Sequence, residues 1–168
     1  MSPLAIAMAA SLLLPSGRAY PPRLEELGAT GHVVSVAADV EDVAELAGVA
    51  PEQVAALLIG ENRSLDPDAV SKRGLSAGPL QLRVGLPQHE AWRNACRALP
   101  SRCSWVGLLI GARVLRAGLD ACRGDFLCAT LRYRHGPAGA RRARPRARDF
   151  AVVDLAARLR ALMGGDRG

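Results

Sequence analysis

Aromatic residues make up only 4% of this 168-residue chain, so its core has to be built from alanine, leucine and valine. Hydrophobic residues still reach 49%, which excludes general disorder and fits one domain long enough to bury a real core. Long apolar runs are also scarce. None reaches the length of a membrane-spanning helix except, marginally, the one at the N-terminus. Trp105–Gly118 is interrupted by Arg113 and Arg116, and reads as a core helix with a basic outer stripe. The four cysteines lack the paired CxxC spacing of a zinc site and no clustered histidines accompany them, so no metal is expected. Internal repeats and a phosphate-cradling glycine loop are missing as well, and no cofactor is expected. Lysine and arginine are absent from Leu24 to Asn62, a stretch with eight acidic residues.

What is present is unevenly placed. Seven arginines lie between Arg132 and Arg148, so the net charge of +6 and the pI near 9.9 come from the second half. A cationic surface of this kind suits an anionic polymer such as a cell wall, a nucleic acid or acidic lipid; it also fits a solvated arginine-rich loop. Cys96, Cys103, Cys122 and Cys128 form an even set, read as two disulfides formed in an oxidising periplasm or outside the cell. Three pairings are possible, of which the local one, Cys96–Cys103 with Cys122–Cys128, asks least of the chain. Residues 1–19 carry an apolar run from Pro3 to Leu14, followed by Gly17 and Ala19 at small-residue cleavage positions. That resembles a secretory leader without its positive start, and the alternative is a buried terminal helix. With the leader removed, no stable membrane insertion is expected.

Chemistry concentrates in Glu61–Leu82. Val54, Ala55, Leu57, Leu58 and Ile59 precede Glu61, which places a lone carboxylate on the last turn of an apolar helix. Apolar neighbours and the negative end of a helix dipole both favour the protonated form that a general acid needs. Asp66-Pro67 then makes a turn, and Ser71, Gly74, Ser76 and Gly78 form a flexible bend that ends on Gln81-Leu82. Glycines there let a sugar approach the main chain, and a Gln amide can bond acetamido or hydroxyl groups. The same residues equally suit an ordinary turn and a plain loop between two helices.

Taken in order, Glu61, Asp66, Pro67, Ala69, Ser71, Gly74, Ser76, Gly78, Gln81 and Leu82 resemble the core signature of the soluble lytic transglycosylases, lysozyme-like enzymes that cut the glycan strands of peptidoglycan. The intervals Glu61–Ser71 and Gly74–Gln81 are each about one residue longer than the usual family spacing. Gly111-Ala112, Gly124-Asp125 and Ala129…Tyr133-Arg134-His135-Gly136 resemble the family's downstream block, with Arg134 where an Asn is usual. The resemblance covers residues 50–137. It implies a mostly α, lysozyme-like (α+β) domain with a cleft and a short β-hairpin. It also implies Glu61 as the single catalytic acid and base, and Ser76, Gly78, Gln81 and Tyr133 as substrate contacts, with Tyr133 facing Glu61. The expected partner is the peptidoglycan glycan strand. The alternatives are a hydrolytic muramidase of the same fold or a degenerate wall-binding module.

Asp42–Ala55 also resembles a repressor-type helix-turn-helix, a remote alternative. That segment offers only acids where phosphates would have to be neutralised, so no nucleic-acid partner is expected. The resulting layout is a leader over 1–19, a Pro/Gly-rich linker over 20–38, the domain over 39–163 and a tail over 164–168. Helices are expected near 39–47, 51–62, 87–98, 104–118, 120–131 and 149–163. The bend over 63–86 and an arginine-rich loop over 137–148 complete the chain.

Overall fold

The computed structural model describes residues 2–13, 29–62, 65–71 and 74–164. Among these, seven α-helices and one two-stranded hairpin make a mostly α architecture: α1 (Pro3–Leu13), α2 (Ala29–Ala47), α3 (Pro51–Glu61), β1 (Ser76–Ala77), β2 (Leu82–Arg83), α4 (Pro87–Ala98), α5 (Cys103–Ala121), α6 (Phe126–Ala140) and α7 (Ala147–Gly164). A 3₁₀ turn, Pro100–Arg102, joins α4 to α5.

The centre is α3. Val54 through Ile59 are all buried, so this helix is enclosed rather than amphipathic. Proline at its first position fixes φ where no intrahelical donor is needed. Around it, each helix offers a stripe at helical spacing: Val33, Ala37, Val40 and Ala44 on α2, Leu108, Ala112, Leu115 and Leu119 on α5, Val152, Ala156 and Leu159 on α7. The core is aliphatic, as the scarcity of aromatics requires.

Several expectations change. Helix α2 begins at Ala29, ten residues before the expected start, so residues 29–38 are helix and not linker. Its stripe continues back to Val33, which Gly31 and the Val33-Val34 pair disguise in the sequence. Residues 20–28 and 165–168 lie outside the described residues, as do residues 14–19 of the leader. Helix α1 packs against α2 and α7 with Leu4, Met8 and Leu12 buried. The helix expected over 120–131 is two pieces. Helix α5 runs on to Ala121, and α6 starts anew after Asp125, whose carboxylate accepts the Cys128 amide at 3.0 Å as an N-cap. Arginine-rich residues 137–148 are a loop only over 141–146. Gly136, at φ 70° and ψ 170°, kinks the chain ahead of Pro137, and helical turns resume on both sides of the loop.

The disulfides join Cys96 to Cys103 and Cys122 to Cys128. The first ties α4 to α5; the second closes the α5–α6 turn. No described helix is long and apolar enough to cross a membrane.

Helix α5 carries a face of glycines on which the bend rests. A β-carbon on Gly107 would lie 2.9 Å from the Pro79 ring, and one on Gly111 would lie 2.8 Å from Leu80 Cβ and 3.0 Å from the Tyr133 hydroxyl. Alanine at 111 gains about 1 kcal/mol in helix propensity. Overpacking costs about 1–3 kcal/mol, and here the obstacle includes a β-carbon that cannot swing away. Overpacking wins: Gly111→Ala is expected to lower the denaturation midpoint, and an unchanged or raised midpoint would show that the bend does not sit against α5.

Candidate functional site

Glu61 ends α3, where the Asn62 amide bonds back to Leu58 O at 2.8 Å and the chain turns out of the helix. Gly60 beside it explains how α7 comes so close. A β-carbon at 60 would lie 2.5 Å from Val152 Cγ2. Val152 stands one turn after Asp149, so the same approach brings Asp149 toward the end of α3.

The bend is a four-residue link, Gly78-Pro79-Leu80-Gln81, between antiparallel β1 and β2, with Ser76 opposite Arg83 and Ala77 opposite Leu82. Gln81 adopts φ 51°, a left-handed conformation uncommon outside glycine. Its side chain holds it there. The Nε2 amide donates to Ala69 O at 2.9 Å and Gly78 O at 3.0 Å, while Oε1 accepts the Ser76 hydroxyl at 3.1 Å. The Ser71 hydroxyl oxygen accepts the amides of Leu75 and Ser76. Gly78, at φ 82°, lies under Trp92, whose ring would be 2.9 Å from any β-carbon there. Trp92 is itself anchored by donating from Nε1 to Cys103 O at 3.0 Å.

Ser76, Gly78 and Gln81 thus lie together in the bend, their polar groups and open space used within it. They shape it. The open side of Gly78, expected to admit a sugar, is filled by indole.

Tyr133 reaches the bend from α6, its hydroxyl donating to Leu80 O at 2.7 Å across 53 residues of sequence. Burial first, and the charge of Glu61 second, push the phenol far above its ordinary range, so it acts as a neutral donor. Its hydrogen bond goes to the bend, and Glu61 acts on it through charge.

The sequence led us to expect a lone carboxylate among apolar groups. The structure instead gives Glu61 a cation. Arg134 Nε donates to Glu61 Oε1, and Arg134 Nη1 donates to Asp149 Oδ1. Side-chain exposure falls along this chain from 19% for Glu61 to 6% for Arg134 and 1% for Asp149. Asp149 is also the third residue of α7, where its Oδ2 accepts the Arg146 amide at 2.7 Å, half of a capping box. Neither Arg134 nor Asp149 was picked out from sequence for this role. The available signals were an arginine in place of the family's usual Asn and an acid in the first turn of a helix.

A further ion pair joins α3 directly to α7, with Arg160 Nε donating to Glu52 Oε1 at 2.7 Å. Glu52 is buried, as are Val54 through Ile59 after it on α3. A recess of about 330 Å³ between the α2–α3 and α5–α6 turns, lined by Gln53, Arg116 and Arg123 among others, includes none of the predicted site residues.

No family model, curated protein or solved structure matches this chain. The function therefore has to be argued from the site alone.

Asp149 has a measurable signature. Burial works against its charge, but the Arg146 amide, the Arg134 guanidinium and the charge of Arg148 outweigh it and hold the carboxyl below the ordinary aspartate range. A carboxyl depressed on folding contributes stability that is present above its unfolded value and lost as pH falls through the folded one. Stability is thus expected to be level above about pH 4 and to drop below it. In Asp149→Asn that dependence should flatten while stability at neutral pH falls. Parallel acid profiles for the two proteins would contradict the pairing.

Proposed function

We propose that the protein is a peptidoglycan lytic transglycosylase with a lysozyme-like domain, secreted or periplasmic, in which Glu61 is the acid and base. The observation that carries this is the bond between Tyr133 and Leu80. It joins the two blocks of sequence resemblance beside the end of α3. Exposed Val70, Leu75 and Val84 add an apolar rim to the bend, suited to the flat faces of sugar rings. The two disulfides fit an oxidising compartment.

In the proposed reaction, protonated Glu61 gives its proton to the glycosidic oxygen between N-acetylmuramic acid and N-acetylglucosamine as the bond from C1 breaks. The carboxylate then takes the proton of the muramic acid 6-hydroxyl while O6 closes on C1. This leaves a 1,6-anhydro end and returns the proton to Glu61. No water is consumed and no second carboxylate is needed. The nearby Asp149 suits that economy, since a group 1% exposed and tied to Arg134 and Arg146 is not available as the second carboxylate of a hydrolase. The Glu61–Arg134 pair is the one observation that favours a wall-binding module without turnover.

Both readings meet the same experiment: murein sacculi incubated with wild type and Glu61→Gln, with products weighed by mass spectrometry. Anhydro ends are expected from wild type, and loss of general acid catalysis should slow release by about 10²–10⁴ in the variant while it still sediments with sacculi. Reducing ends would mean a hydrolase, binding without release a module, and full activity in Glu61→Gln another acid.

A further inference from the structure

We infer that Arg134 is a positioning residue that clamps Glu61 as a carboxylate when no glycan is bound, with Asp149 as the fixed post to which the clamp is attached. The inference rests on the reading of Glu61 as the acid. The geometry is asymmetric. Asp149 is fully buried, bonded to the Arg146 amide and locked into the first turn of α7; Glu61 is the most exposed member and sits on a helix end. When the chain opens, it opens at Glu61, and the guanidinium remains with Asp149.

Among the described residues, the charged and titratable groups around the pair can be named. From α3 comes Glu61; from α6 come Arg134 and the neutral Tyr133 phenol, whose hydrogen bond goes to Leu80 O. From α7 come Asp149 and the charge of Arg148, and from the residue just before it the Arg146 amide. Only Arg134 bonds Glu61 directly among these. A carboxylate bonded to a guanidinium cannot donate a proton, so proton delivery requires the Glu61–Arg134 contact to part. A sugar entering along the bend displaces Arg134, and Glu61 then takes up the proton it will deliver. A position where the resembling family carries Asn would thus keep the acid unloaded until substrate arrives.

Two readouts test this on the full-length chain. The first is the pH profile of muropeptide release. Removing the cation in Arg134→Gln is expected to move the alkaline limb to higher pH. Arg134→Lys, which restores a charge, should bring it back toward the wild-type position. If Arg134→Gln does not fold because it strands Asp149, the double variant Arg134→Gln/Asp149→Asn removes that orphaned charge and is expected to show the same displacement. An alkaline limb that stays in place in active variants overturns the clamp.

The second readout needs no activity: thermal unfolding of wild type, Glu61→Gln, Arg134→Gln and the pair combined. Non-additive changes are expected; additive ones overturn the clamp. If wild type releases nothing at any pH while the changes are non-additive, the enzymatic reading has failed and the inference falls with it. That result is distinguishable from an active enzyme whose limb does not move.

Discussion

A single guanidinium serving two carboxylates organises this molecule. Arg134 comes from α6, Glu61 from the end of α3 and Asp149 from the start of α7, so one side chain fixes three helices at one point. Desolvating three charges is expensive, and a buried pair is poor evidence of net stability. Breaking it is a different matter, since removing one partner strands the others in an environment that excludes water, at a typical cost of about 3–5 kcal/mol. Gly60 against Val152 makes this meeting possible by letting α7 close on α3, and the capping bond to the Arg146 amide holds Asp149 in its rotamer. Everything proposed about Glu61 as an acid must therefore be reconciled with the cation already on it.

The opposite wall of the site is held by shape. Gly107 and Gly111 leave room on α5 for Pro79, Leu80 and Tyr133, Gly78 leaves room for Trp92, and Gln81 spends its amide on keeping a left-handed turn in place. A strained residue held by several bonds marks a position that the surrounding structure over-determines. The bend is thus presented as a rigid piece, and Tyr133 ties it to α6.

Much of this was legible in the sequence. An apolar run closed by proline at one end and Glu61 at the other defines α3, the Gly-Pro bend with Gln81 marks the hairpin, and close cysteine spacings match the local pairing found. Where the reading went astray, long-range packing was responsible. The first half of α2 reads as linker because glycine and β-branched valines weaken its helix signal, and only burial of Val33 and Ala37 under neighbouring helices reveals it. Arg134 looked like one of seven arginines in a basic segment. Only its place at the resembling family's usual Asn marks it out locally, and its role is set by the position of two carboxylates, 73 residues before it and 15 after. The type of the bend's polar residues gives no sign of the hydrogen bonds they make with one another and with the local backbone.

The most direct test of the account is a crystal structure of Glu61→Gln with a bound peptidoglycan tetrasaccharide. The account predicts that the glycan lies along the 76–83 hairpin with a glycosidic oxygen about 2.6–3.2 Å from the side chain at position 61, and that Arg134 remains on Asp149. A glycan seated elsewhere, for instance in the recess beside Gln53 and Arg116, with position 61 still bonded to Arg134, would contradict it.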